Sequence, residues 1–192
     1  MTNTIHLAAI VGSLRRESFH RILFEAAQSV AATGVTISEA PVRDVPFYNG
    51  DLEEAGVPDT VTSFKDAVAA ADGLIIFTPE YNGSIPAVTK NAIDWLTRPY
   101  GSAPISGKPV GVVASTPGRH DAAGVRGHLE IVVGANTDRL FGESLGLASI
   151  SRRIDNRDLQ SDALAELGGW LARFVDFVSA GDLQSPTQSA TS

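Results

Sequence analysis

A chain of 192 residues is long enough to bury a substantial core within one domain. Its composition, 43% hydrophobic and 19% charged, is that of an ordinary soluble protein, and a net charge of −7 argues against nucleic acid or an anionic membrane as a general partner while leaving room for one local positive pocket. The absence of cysteine excludes disulfides, thiolate nucleophiles and thiolate metal sites; with a polar Met1-Thr2-Asn3-Thr4 start and no apolar run near the ~20 residues of a bilayer span, the expected location is cytoplasmic.

Short apolar runs alternate with helical patterns, the signature of β-α-β units around a parallel sheet. Ile5 to Val11 reads as a strand buried on both faces. Phe19, Ile22, Leu23, Ala26, Ala27 and Val30 then repeat at helical spacing, with Gly34 as the stop. Val35-Thr36-Ile37-Ser38 alternates apolar and polar, as an edge strand does, and Asp59 to Ala71 carries a helical stripe of Val61, Phe64, Val68 and Ala71. Leu74 to Phe77 is a second buried strand. A helix capped by Ser84 is expected next, with Pro86 in its first turn, Trp95 and Leu96 near its end and Arg98-Pro99 as its stop.

Val110 to Ala114 is a third buried strand, followed by a helix over Gly124 to Val133 and a fifth strand near Arg139 to Leu145. Leu159 to Val178 reads as a closing helix, weakened but not ended by Gly168-Gly169. From Gly181 the chain is rich in Ser, Thr and Gln and is expected to be a disordered tail. Five strands and five helices imply a doubly wound sheet in one of two common strand orders, with a ligand beyond the C-terminal strand ends where the order reverses.

Three segments leave those ends. Gly12-Ser-Leu-Arg-Arg-Glu-Ser18 joins a strand to a helix, aiming main-chain N–H groups and the positive end of a helix dipole at one spot. Ser13 and Ser18 add hydroxyls and Arg15 or Arg16 a guanidinium suited to phosphate oxygens. The segment has neither a Gly-x-x-x-x-Gly-Lys triphosphate cradle nor a Gly-x-Gly-x-x-Gly pyrophosphate turn, so a terminal monophosphate fits it better. Thr78-Pro-Glu-Tyr-Asn-Gly-Ser84 suits a flat heteroaromatic ligand, through Asn82 and main-chain donors, a close approach at Gly83 and a wall from Tyr81; it equally suits a chain reversal. Ser115-Thr-Pro-Gly-Arg-His-Asp121 offers Ser115 to a ligand ring, or is a plain turn.

Other chemistries find no support. His6, His20, His120 and His128 are scattered without metal-ligand spacing, and Ser13 lacks a Gly-x-Ser-x-Gly setting. Gly12-Ser13 and Thr78-Pro79 stand where a phospho-receiver needs acidic residues. His20 reads as a helix-surface residue whose first-turn position also lets it reach a phosphate; Trp95 reads as packing and Asp94 as surface.

Gly12-Ser-Leu-Arg-Arg-Glu-Ser-Phe19, with Thr78-Pro-Glu-Tyr-Asn82 and Thr89-Lys-Asn-Ala-Ile-Asp-Trp-Leu96, resembles the NAD(P)H-dependent FMN reductase family, which includes quinone, chromate and azo-dye reductases. The resemblance implies a flavodoxin-like three-layer α/β sandwich with a five-stranded parallel sheet of order 2-1-3-4-5, in a domain spanning residues 1–180 followed by a tail over 181–192. It implies that Ser13, Arg15, Ser18, Phe19 and His20 hold the FMN phosphate, and that Glu80, Tyr81, Asn82, Gly83 and Ser115 line the isoalloxazine ring. At His20 the family commonly has Asn, at Gly83 often a bulkier residue, and around Arg119 to Asp121 more glycine.

By the same resemblance NADPH or NADH is the electron donor, and a quinone, free flavin, azo compound or metal oxyanion is the acceptor. The hydride chemistry resides in the flavin, so no catalytic side chain is expected. The helices around Lys90–Leu96 and Gly124–Val133 resemble those of the family's dimer interface, implying a homodimer or homotetramer. A flavodoxin-like electron carrier for protein partners is the alternative, and a flavin-free binding protein a third reading.

Overall fold

The computed structural model describes residues 4–182. Five parallel strands form one sheet in the order β2-β1-β3-β4-β5: β1 Ile5–Val11, β2 Val35–Glu39, β3 Gly73–Pro79, β4 Val110–Ser115 and β5 Leu145–Leu147. This is the expected flavodoxin-like order, with β2 at one edge. Because successive strand residues point to opposite faces, each central strand feeds two cores. Leu7, Ala9, Val11, Ile75, Phe77 and Val113 face α1 (Phe19–Val30) and α6 (Ser161–Asp182). Ala8, Ile10, Leu74, Ile76, Val112 and Ala114 face α3 (Asp59–Ala69), α4 (Ala87–Leu96) and α5 (Ala123–Gly134). Continuous apolar runs in β1, β3 and β4 follow from burial on both sides.

Several boundaries differ from the sequence expectations. α4 begins at Ala87 with Pro86 as its cap; Ser84 instead sits in a tight turn, and its hydroxyl bonds His128 Nδ1 at 2.8 Å. The last strand is three residues, 145–147, because Leu140 makes only an isolated bridge to Val110 and Phe141 is drawn into a ring cluster with Trp170, Phe174 and Phe177. Leu159 belongs to a small hairpin of Ile154–Asp155 (β6) and Asp158–Leu159 (β7), so α6 starts later, at Ser161. That helix passes unbroken through Gly168-Gly169 and takes in Gly181, the first residue assigned to the tail; the rest of that expectation, residues 183–192, lies outside those described.

One helix was not anticipated. α2 (Gly50–Ala55) buries none of its residues and depends on local chemistry: Asn49 caps Asp51 N–H, and Asp51 lies in the positive first turn. The segment before it is fastened to α4, where Asn91 Nδ2 and Trp95 Nε1 both donate to the Pro46 carbonyl while Asn91 Oδ1 accepts from Tyr48 N–H.

Candidate functional site

The chain leaves β1 in one direction, to β2, and returns to β3 on the other side, so the sheet reverses between β1 and β3. A cleft of about 200 Å³ opens at the C-terminal ends there, between the three segments singled out above. Ser13, Arg15, Ser18, Phe19, His20, Glu80, Tyr81 and Ser115 line it, together with Pro79, Thr116 and Pro117. Eight of the ten expected site residues therefore converge. Asn82 and Gly83 do not line it; Pro79, Thr116 and Pro117 do, and although each belongs to one of the three segments, nothing in the residue type singles it out there as a ligand contact.

The first segment is built by close approach. Gly12 N–H donates to the Phe77 carbonyl at 2.7 Å, extending the β1–β3 pairing by one residue. Thr89 Oγ1 and Thr78 Oγ1, themselves 3.1 Å apart, press against the glycine where a side chain would stand. Beyond it Ser13, Leu14 and Arg15 pass over the rim, and Arg43, from the segment after β2, donates to the Leu14 carbonyl at 3.2 Å. Ser18 caps α1, its hydroxyl accepting His20 N–H at 3.2 Å. The positive end of a twelve-residue helix is thus directed at the cleft beside the exposed Arg15.

His20 departs from its reading as a surface residue. It is 3% exposed, and its Nε2 lies 2.9 Å from the Ser115 hydroxyl, on the third segment. Burial pushes its pKa down to about 3, against a smaller opposite effect of a hydrogen bond to the Thr78 main chain, so the ring is neutral at physiological pH. The first turn of α1 is in this way tied to the end of β4.

The second segment divides its tasks. Asn82 and Gly83 have φ of 53° and 71°, and Tyr81 and Ser84 exchange main-chain hydrogen bonds at 3.1 and 3.0 Å. Positive φ at both central positions defines a type I′ turn, for which Asn-Gly is the favoured pair. These residues therefore reverse the chain beside the cleft. Glu80 Oε2 accepts Val125 N–H at 3.0 Å in the first turn of α5, whose preceding residue Ala122 offers no side-chain cap. Tyr81, 47% exposed, stands at the rim.

The arrangement can hold a small anion at the helix end and a flat group across the strand ends. Its volume falls below the ~300–1,000 Å³ of sites that enclose a ligand, so a planar group would keep one face open.

Comparison with known proteins agrees with this geometry. Residues 5–142 match the family described as NADPH-dependent FMN reductase. A quinone reductase of Pseudomonas putida is 40% identical over 118 residues, 62% of this chain and 63% of that protein, so the aligned part spans less than two thirds of that relative. A quinone reductase of Escherichia coli K12 is 31% identical over 93% of this chain and 97% of its own length. Among solved structures, the flavoenzyme NAD(P)H:acceptor oxidoreductase FerB from Paracoccus denitrificans superposes with a TM-score of 0.79 at 31% identity, covering 92% of this chain and 98% of that one. A family match over most of the chain, joined to a near full-length relative and a cleft where the family's first motif meets its second, establishes that the chain belongs to the NADPH-dependent FMN reductase family.

Proposed function

We propose that this chain is an FMN-dependent oxidoreductase that takes electrons from NADPH or NADH and passes them to a small acceptor such as a quinone. The observation that carries the reading is the cleft itself, with a capped helix end, hydroxyls and an arginine at one side and an aromatic rim at the other. The donor set fits FMN. Ser13, Arg15 and the first turn of α1 from Ser18 to His20 would hold the phosphate, since main-chain N–H groups, hydroxyls and a guanidinium favour a dianion. Phe19, Tyr81, Pro79, Thr116 and Pro117 would flank the flat part of the ligand, with Ser115 as a polar contact.

Bound FMN supplies the hydride and electron transfer between nicotinamide and acceptor. The chain's own residues contribute position. Arg15 and the α1 end anchor one extremity of the ligand, the Gly12 close approach holds that anchor against the sheet, and Glu80 keeps the start of α5 in place. An open face over the rim admits donor and acceptor in turn, which suits a broad range of small acceptors, including quinones, free flavin, azo compounds and metal oxyanions. Asn82 and Gly83 would act on the ring only indirectly, by setting the turn that presents Glu80 and Tyr81.

The unit carrying this activity is residues 1–180, acting in the cytoplasm; among the described residues no helix is long and apolar enough to cross a membrane. The working assembly is a homodimer or homotetramer. Supporting this, Ile131 is 71% exposed beside Ile85 and Val132 on the α4–α5 face, an apolar surface a second copy would cover. The test is spectroscopic. Purified protein mixed with FMN should acquire a bound flavin spectrum that bleaches anaerobically with NADPH or NADH and recovers on adding quinone. A preparation that takes up no flavin would refute the reading, and one bleached by neither nicotinamide would favour an electron carrier. Sedimentation would report the assembly.

A further inference from the structure

The third cleft segment leans on β5, and the entry to β5 is not held by the sheet. Thr116 N–H donates to the Leu147 carbonyl at 3.1 Å, Ile150 N–H to the Thr116 carbonyl at 3.1 Å, and Ser149 N–H to the Gly118 carbonyl at 2.7 Å. Where Thr116 and Pro117 stand therefore follows from where β5 and the residues after it stand. Yet β4 and β5 pair only from Val113 and Leu145 onward, and the preceding bridge joins Val110 to Leu140. Residues 141–144 thus face only Gly111 and Val112 and cannot continue the ladder, which leaves a cavity of about 140 Å³ beside Val112, Phe141 and Ser144.

Arg126, in the first turn of α5, lines that cavity and reaches both sides of the problem. Its Nη1 donates to the Ser144 carbonyl at 3.3 Å and hydroxyl at 3.2 Å, at the entry to β5. Its Nε donates to the Asp121 carbonyl at 3.1 Å, and its Nη2 to the Asp121 carboxylate, at the far end of the cleft segment. The side chain is only 21% exposed, so these bonds are partly shielded from water. Gly146 makes room for them: a side-chain carbon there would overlap the Asp121 carbonyl oxygen and stand 2.7 Å from Arg126 Nε.

We propose that Arg126 is a positioning residue for the ring side of the cleft, setting the Thr116–Pro117 wall by holding Asp121 and Ser144 with one guanidinium. This rests on the reading of the cleft as the FMN site. The planar fork matters because it donates in two directions at once, which a single ammonium on a flexible stem does not reproduce. Ser115 is held separately by His20, so the freedom gained on losing Arg126 falls on Thr116 and Pro117. The phosphate end, built on α1 and Arg15, is spared.

Fluorescence titrations with FMN and riboflavin test this on variants that circular dichroism shows to be folded. Arg126→Ala should weaken both flavins by the same factor, about 4- to 15-fold, the effect of uncovering one or two methylene-sized contacts. A role in stability alone would lower the unfolding midpoint and leave both affinities of the folded chain unchanged. Arg126→Lys keeps the charge beside Asp121 but not the span, and should bind nearer to Arg126→Ala than to wild type. Gly146→Ala, which forces the same contacts apart without altering Arg126, should reproduce the loss. If Arg126→Ala does not fold, the other two variants decide. Wild-type affinities in Gly146→Ala or Arg126→Lys, or a loss confined to FMN, overturn the inference while the cleft reading stands. A wild-type chain that binds neither flavin overturns the cleft reading itself, and the inference with it.

Discussion

A side-chain carbon at Gly12 would stand 2.2 Å from Thr89 Oγ1 and 3.0 Å from the Phe77 carbonyl oxygen. The glycine that opens the first motif is therefore required by packing between β1, β3 and α4, in addition to any ligand. Thr89 cannot retreat freely, being fully buried and bonded to Thr78. Gly12→Ala should destabilise the flavin-free chain by about 1–3 kcal/mol, the range for overpacking a filled interior. Urea unfolding in the absence of FMN measures it. An unchanged midpoint there, with only flavin affinity reduced, would assign Gly12 to the ligand alone.

Glu80 closes the first turn of α5 across 45 residues of sequence. Glu80→Ala should lower stability by about 0.5–2 kcal/mol, as loss of a helix cap does. Glu80→Gln keeps an acceptor oxygen but loses the charge at the helix end, and should cost less, about 0.3–1 kcal/mol. Thermal unfolding of the two variants orders them. A Gln variant as unstable as Ala would mean the charge, rather than the hydrogen bond, holds the turn.

The sheet was legible because its signals are strong and local. β1, β3 and β4 carry the apolar runs Leu7 to Val11, Leu74 to Phe77 and Val110 to Ala114, and α1 and α3 keep an apolar stripe at helical spacing. What escaped was decided by tertiary contact. The stretch from Arg139 looks like a strand, yet Phe141 is taken by the α6 rings and pairing begins only at Leu145. α2 has no apolar stripe to be read, since it buries nothing. In the site, residues legible as phosphate ligands cluster within one short segment at a strand end, where geometry constrains their use. His20 was misjudged as a surface residue because the hydroxyl it meets is 95 positions away. For Asn82-Gly83 the residue types fit both a ring contact and a turn, and the positive φ angles show the turn.

Burial of His20 makes stability depend on pH. Its folded pKa is depressed to about 3, while the unfolded ring titrates near 6.5. Between these values the unfolded chain binds a proton that the folded chain refuses. The contribution of the neutral ring is thus complete above pH 6.5 and is lost as pH falls toward 3, at about 1.4 kcal/mol per pH unit. Denaturant midpoints of the wild type should fall more steeply over this window than those of His20→Gln, whose amide does not titrate. Parallel slopes in the two proteins would show that the ring is already charged in the folded state.

Arg15 is exposed at the mouth of the cleft, where a flavin phosphate would meet it. A charge-assisted hydrogen bond is worth about 1.5–3 kcal/mol, and solvent screening at an exposed residue places this one at the lower end. Arg15→Ala should therefore weaken FMN binding about tenfold. Because the interaction is with phosphate, the same substitution should leave riboflavin affinity unchanged, and the wild-type preference for FMN over riboflavin should shrink as salt is raised. Fluorescence titration of both flavins at two ionic strengths makes the comparison. Equal losses for FMN and riboflavin would move Arg15 away from the phosphate and toward the shared ring, and with it the orientation of the ligand across the strand ends.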